Sequence, residues 1–221
     1  MSIDREPHAP PNAKRDEALA FDWKSDQAPY SHAYLSGPVL ALLSDLGARR
    51  VLDVGAGNGR LAARIAEAGM HVVGIEYNPE GVAIARRAYP DIAFHARGVQ
   101  DDASDIVREE GMFDTVVSTE VIEHLYDPSQ LLSFASQFLE PGGRLIVSTP
   151  YHGYWKNLAL SVAGKWDFHH HPRKVGGHVK FWSRKQLALL MEENGFVVDR
   201  FVGAGRFPYL WKSMIMTAHR V

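Results

Sequence analysis

Three short stretches carry side chains whose types and spacing could do chemistry. Val51-Leu52-Asp53-Val54-Gly55-Ala56-Gly57-Asn58-Gly59 reads as a buried strand delivering a carboxylate into a glycine-rich turn. Without Cβ atoms, the glycines at 55, 57 and 59 let a ligand approach the backbone and permit positive φ. The helix that follows from Arg60 aims its N-terminal amides at the turn, which suits a nucleotide-like ligand. Asp53 stands two residues before the first glycine, where a purely structural parallel strand would carry an apolar residue. A buried carboxylate there needs donors, from the loop amides or from a bound amine. The second stretch, His71 to Glu76, ends in an acid placed to accept hydrogen bonds from a ribose. The third is Glu120-Val121-Ile122-Glu123-His124-Leu125. Positions 120, 123 and 124 stand at i, i+3 and i+4, so helical geometry puts two carboxylates and an imidazole on one face, with Val121, Ile122 and Leu125 elsewhere. Glutamates this close repel unless a cation or proton lies between them. In the plainer alternative, Glu123 and His124 form an exposed ion pair and Glu120 alone faces the ligand.

The elements that must position these groups alternate along the chain. Strands are predicted near 50–54, 71–75, 92–96, 113–118 and 143–149, with helices near 58–68, 79–88, 128–139 and 183–194. Leu35 to Leu46 recur at helical spacing ahead of the first strand, with Gly47 as a stop. Phe196 to Val202 and Met214 to His219 supply a closing antiparallel pair. This order predicts an α/β fold: a doubly wound, mostly parallel, Rossmann-like seven-stranded sheet with a cap insertion after strand 5. Ligands of such sheets sit beyond the carboxyl ends of the strands, and Asp53, Glu76, Gln100 and Glu120 all fall at or near those ends. Residues 1–28, rich in proline and charge at their start, read as a flexible N-terminal arm whose end could fold over the ligand. Residues 29–221 read as one domain with a cap or substrate insertion at 151–182.

That insertion carries Tyr151, Tyr154, Trp155, Trp166, Phe168, Phe181 and Trp182. Long insertions at the functional edge of a sheet act as binding loops or lids. Tyr154 to Gly164 reads as a short helix with a largely apolar surface, expected both to cap the core and to wall an aromatic pocket, and offering peripheral membrane contact through 154–164. His169, His170 and His171 are read as a solvated or substrate-contacting loop, because adjacent side chains of an extended segment alternate in direction and cannot all reach one ion. His152 lies nearer the expected substrate and is a candidate base.

The loop geometry suits NAD or S-adenosylmethionine (SAM), and spacing separates them. The dinucleotide fingerprint is G-x-G-x-x-G; here it is G-x-G-x-G, and position 60 is arginine. The chain at this point resembles the class I SAM-dependent methyltransferases, whose first motif is a strand, an acid and G-x-G-x-G. Glu76 fits that family's ribose-binding acid, Val99-Gln100-Asp101 its adenine-lining loop, and Phe113 to Ser118 and Leu139 to Val147 continue the pattern, together covering roughly residues 30–150. The resemblance implies a SAM site built from Asp53, Gly55, Ala56, Gly57, Glu76, Tyr77, Val99, Gln100, Asp101, Thr119 and Glu120.

The E-x-x-E-H string followed by Gly176-Gly177-His178 resembles two groups within that family, the ubiquinone-biosynthesis O-methyltransferases and the small-RNA 3′-terminal 2′-O-methyltransferases. In both, matching positions hold a divalent cation. The resemblance implies Glu120, Glu123, His124 and His178 as ligands; Glu120 and His124 are also candidate catalytic groups, with His152, by its position, a second-rank base where no metal binds. A cation binding a hydroxyl lowers its pKa and orients the oxygen. Mg²⁺ is the usual ion, yet two imidazoles also suit Zn²⁺ or Mn²⁺, so its identity stays open. The leading expectation is O-methylation of a small aromatic or diol-containing acceptor. The alternatives are RNA 2′-O-methylation, a metal-independent small-molecule N- or O-methyltransferase, and a non-catalytic cofactor-binding protein.

Composition bounds these readings. The 221 residues, 46% hydrophobic, supply one sizeable α/β domain and a cap. Lys+Arg 24 against Asp+Glu 26 gives a formal net charge of −2, which argues against nucleic acid as partner. With no cysteine, disulfides and thiolate metal sites are excluded. No signal segment or membrane-spanning run is visible, so a cytoplasmic protein is expected, as monomer or homodimer.

Overall fold

The computed structural model describes residues 25, 27, 31–170, 172, 173 and 176–221. Apart from Ser25 and Gln27, the expected arm lies outside the described residues up to position 28, and so does His171. Seven strands form one sheet: β1 (Arg50–Val54), β2 (His71–Glu76), β3 (Ala93–Ala96), β4 (Phe113–Thr119), β5 (Leu139–Pro150), β6 (Phe196–Ala204) and β7 (Ser213–Arg220). Their order is β3-β2-β1-β4-β5-β7-β6. β1 to β5 pair in parallel, whereas β7 runs antiparallel between β5 and β6. The direction of winding reverses between β1 and β4, which opens a crevice beyond their carboxyl ends.

The helices are α1 (His32–Asp45), α2 (Arg60–Glu67), α3 (Pro79–Ala88), α4 (Ser104–Glu110), α5 (Ser129–Phe138), α6 (Tyr154–Val162), α7 (Trp166–His170) and α8 (Arg184–Glu193). Local chemistry sets several boundaries. Asn78 caps α3 by accepting from the Glu80 amide, with Pro79 in the first turn, and Ser183 caps α8 by accepting from the Gln186 amide. α4 and α7 were not foreseen, and β5 starts four residues earlier than the predicted 143.

Successive strand residues face opposite sides of the sheet, and the core divides accordingly. Leu52, Val116 and Leu145 join α5 (Leu131, Leu132, Phe138) and α8 (Leu187, Met191) on one side. Their neighbours Val51, Val117 and Ile146 join α1, α2 and α3 on the other. The result is a three-layer sandwich that holds the strand ends rigid. Each fully buried leucine or phenylalanine contributes about 1.5–3 kcal/mol of transfer free energy. No helix among the described residues is long and apolar enough to cross a membrane.

Candidate active site

The glycine loop is held by its own backbone. The amides of Gly55 and Ala56 donate to the Ile75 carbonyl at 2.8 and 2.9 Å, and the Gly59 amide closes the turn on Ala56. Gly55 has φ 82°, and the Val121 side chain fills the space where a Cβ would stand. At Gly59, φ 81°, a Cβ would meet Phe94, Ala85 and Tyr89, so this glycine lets α2 seat against α3 and β3. The Asn58 amide donates to the carbonyls of Ser25 at 2.9 Å and Gln27 at 2.8 Å, which draws the end of the arm onto the loop.

Two acids converge under this loop. Glu76 accepts from the amides of Gly57 and Asn78, each at 2.8 Å, yet burial still raises its pKa. Asp53 is 1% exposed, and neither carboxylate oxygen has a hydrogen-bond partner among the described residues. Burial, then the Glu76 carboxylate, pushes Asp53 up to about 7. With Gly55 and Ala56 committed to Ile75, the loop amides do not satisfy Asp53, and a bound ammonium is the donor the pocket lacks. Tyr77 follows on the same loop and its amide also stabilises Glu76. Beyond β3, Val99 packs against the core, Asp101 caps the Gly98 amide at 2.7 Å, and Gln100 is exposed. Thr119 closes β4 beside the buried Ser118, whose hydroxyl donates to the Val54 carbonyl at 2.9 Å.

The segment after β4 differs from the helical face expected. Only Ile122–His124 is helical, a single 3₁₀ turn, and Glu120 precedes it with φ 56°. A non-glycine residue held there carries strain that the surroundings must enforce. They do so through hydrogen bonds: the Glu120 amide donates to Ser148, and its carboxylate accepts from the hydroxyls of Ser148 at 2.9 Å and Ser213 at 3.1 Å. Burial raises Glu120 to about 7, opposed by those hydroxyls and by Lys156. Both Glu120 oxygens are therefore engaged, and the residue stands apart from the other three expected ligands.

Those three do come together. Glu123, 1% exposed, accepts from Thr149 Oγ1 at 3.0 Å through Oε2, while Oε1 has no hydrogen-bond partner among the described residues. Nε2 of His124 and Nε2 of His178 each lie 4.0 Å from that Oε1. The Glu123 carbonyl brings the distant histidine in, accepting from the amides of Val179 at 2.9 Å and Lys180 at 3.0 Å. Burial, followed by repulsion from Glu120, raises Glu123 well above the carboxylate range. One carboxylate oxygen and two imidazole nitrogens around a small gap fit a divalent cation, and Thr149 orients the carboxylate as an outer partner does.

The insertion departs from expectation in two places. α6 does not cap the core with its apolar side: Lys156 is its buried residue, 4% exposed, whereas Trp155 and Val162 are 58% and 81% exposed. Lys156 Nζ donates to the Lys212 carbonyl, and burial first, then Arg206, lowers it to about 8. In addition, His169 and His170 lie on a helical turn, not an extended loop; the His170 ring stacks on His152 and the His169 ring meets it edge-on. His152 is 7% exposed, and burial, then Lys156, lowers it to about 3.

Thr149, Ser148, Ser213 and Lys156 were not foreseen. The first two close β5, where the strand-end rule points; a lysine among the apolar residues of α6 was the only hint of the last.

A sheet of this order, with an acid-led glycine loop at its switch point, defines a Rossmann-like SAM-dependent methyltransferase, and residues 23–200 match the methyltransferase-domain family, to which the chain belongs. Among relatives, it is similar to the ubiquinone biosynthesis O-methyltransferase of Aeromonas salmonicida, 27% identical over 205 residues, covering 87% of this chain and 83% of that protein. That of Xanthomonas oryzae pv. oryzae is 33% identical over 140 residues, 60% of this chain and 57% of that protein. The fold is shared with magnesium protoporphyrin IX methyltransferase from Synechocystis PCC 6803, at TM-score 0.66 and 19% identity over 95% of this chain and 94% of that one. It is shared also with 1,6-didemethyltoxoflavin-N1-methyltransferase from Burkholderia thailandensis, at TM-score 0.63 and 19% identity over 99% and 93%.

Proposed function

We propose that the chain methylates an oxygen of a small aromatic or diol-containing acceptor, with a divalent cation held by Glu123, His124 and His178. The observation that carries this reading is the buried Glu123 Oε1, without a hydrogen-bond partner among the described residues and facing two imidazoles, two residues after Val121, which packs on the glycine loop. Relatives named as O-methyltransferases support the oxygen acceptor.

When bound, the cation supplies a Lewis acid that acidifies and orients the acceptor oxygens. Mg²⁺, Mn²⁺ and Zn²⁺ all accept this mixed donor set, with the imidazoles favouring the last two. Asp53 and Glu76 hold the amino and ribose ends of SAM, fixing where its methyl points. Glu120, near 7 and steadied by Ser148 and Ser213, is the base that takes the hydroxyl proton. The acceptor oxygen then bonds to the methyl carbon as the carbon–sulfur bond breaks, leaving S-adenosylhomocysteine and a protonated Glu120. Positioning supplies most of the acceleration, because the sulfonium is already a good leaving group. The exposed apolar side of α6 supports peripheral contact with a lipid surface, which would suit an acceptor drawn from a membrane.

Turnover of a panel of catechols with SAM tests this reading. A chelator and Glu123→Ala are each expected to remove most of the turnover while SAM still binds. Full activity in both would overturn the role of the metal.

A further inference from the structure

His152, His169 and His170 form a second cluster whose parts come from the start and the middle of the insertion. His152 follows β5, fixed by its backbone N–H donating to the Trp182 carbonyl at 3.0 Å and by Asn157 Nδ2 donating to the His152 carbonyl at 3.4 Å. His169 and His170 end α7, where successive residues stand about 100° apart around the helix and can lean on one point from two sides. One nitrogen from each of the three rings lies within 4.8 Å of the other two. Ring centroids are 5.3 Å apart for His152 and His170, 5.9 Å for His152 and His169, and 4.9 Å for His169 and His170. Imidazoles sharing one ion through bonds of about 2.0–2.1 Å hold their centroids about 5 Å apart.

The cluster is also short of partners. Nε2 of His152 and Nε2 of His170 are both shut off from solvent and have no hydrogen-bond partner among the described residues. Leaving a buried polar atom unsatisfied costs roughly 1–3 kcal/mol, so a pair of them facing one gap calls for an occupant. Phe181, whose ring lies 5.1 Å from His152 and 4.9 Å from His170, closes the apolar side. Trp166 packs on His170 at 4.2 Å. No carboxylate belongs to the group, which disfavours Mg²⁺ and Ca²⁺, whereas three neutral nitrogens favour imidazole-loving ions.

We propose that His152, His169 and His170 form a second cation site, distinct from the one at Glu123, that takes a borderline transition ion such as Zn²⁺ or Co²⁺. Three nitrogens leave a tetrahedral ion one open position, and the bonds pin α7 to the segment that follows β5. The ion would staple the insertion shut where the acceptor must enter.

His169 and His170 are only half-buried, so His169→Asn/His170→Asn leaves the core untouched. The full chain, stripped with chelator, is titrated with Co²⁺ while bound equivalents and visible absorption are recorded. The double variant is expected to bind one equivalent fewer than the wild type and to lose the stronger absorption of a low-coordinate site. The same loss is expected in a Glu123→Ala background, where this site is the one remaining. Zn²⁺ is expected to slow amide exchange across 166–170 in the wild type and in Glu123→Ala, but not in the double variant. An unchanged number of equivalents in the double variant, or exchange at α7 indifferent to Zn²⁺, overturns the proposal. Failure of the Glu123 site alone would instead leave the wild type with one equivalent and the double variant with none.

Discussion

Val121 occupies the space that a Cβ on Gly55 would need, so the glycine loop and the turn bearing Glu120 and Glu123 interlock. Gly55→Ala therefore carries two penalties: positive φ, about 1 kcal/mol, and overpacking against Val121, about 1–3 kcal/mol. Adding Val121→Ala should relieve the second and not the first. Denaturant unfolding of both single variants and the pair measures the coupling, and purely additive losses would show the two segments to be independent.

Asp53→Asn separates stability from ligand binding. The folded carboxyl titrates near 7 against 3.8 in its ordinary state. The proton-linked stabilisation is thus complete below 3.8 and is lost as pH rises to about 7. The asparagine variant should be more stable than wild type at pH 8, by on the order of 4 kcal/mol, with the gain vanishing near pH 4. SAM should bind the wild type more tightly as pH rises through 7, because the ionised carboxylate is the form that meets an ammonium. Calorimetry over that range checks both; a pH-independent affinity would remove Asp53 from the amino-group site.

Thr149→Val keeps the shape at Glu123 but takes the hydroxyl from its Oε2. Loss of such an orienting partner lowers metal affinity or activity by about 10–100-fold. Metal titration at constant SAM should show the drop, with SAM affinity unmoved. An unchanged titration would mean that Thr149 does not orient the carboxylate.

Lys156→Met removes the positive neighbour that holds Glu120 down. The acidic limb of the pH–turnover profile attributed to Glu120 should move above 7. Lys156 titrates near 8 against 10.5, so its protonated form costs stability below 8 and the cost fades by 10.5. The methionine variant should gain stability below pH 8 and lose that gain toward 10.5. A gain independent of pH would assign it to packing alone.

Trp155→Ser/Val162→Ser tests the outward side of α6. Flotation with anionic phospholipid vesicles should fall severalfold, while turnover on a water-soluble catechol stays at the wild-type level. Equal flotation would remove α6 from any lipid contact.

The glycine loop and its acids were legible because their spacing is local: Asp53, Gly55 and Glu76 belong to one strand–helix–strand unit whose periods show in the sequence. The sheet followed for the same reason, its apolar runs being long and regular. The helical face at 120–124 was misread, since i, i+3 and i+4 share a face only in an α-helix, whereas Glu120 has φ 56° and is bonded to hydroxyls of β5 and β7. The convergence of His178 on Glu123 rests on backbone bonds from Val179 and Lys180, which leave no pattern in side-chain types. α4, SDIVREE, buries only Ile106 and so shows no apolar period, and the run at 169–171 hid a helical turn behind an apparent loop.

The place of β7 has a consequence for the order in which the molecule is made. Ser213, the second hydroxyl on Glu120, is 93 residues further along the chain, on a strand that must slip between β5 and β6. Until that strand arrives, β6 has no neighbour in the sheet and Glu120 has one hydroxyl instead of two. The hydroxyl pair on Glu120 is therefore completed late in assembly, by a contact of high sequence separation that forms slowly. A nascent chain that already carries the whole glycine loop still lacks the second hydroxyl on Glu120.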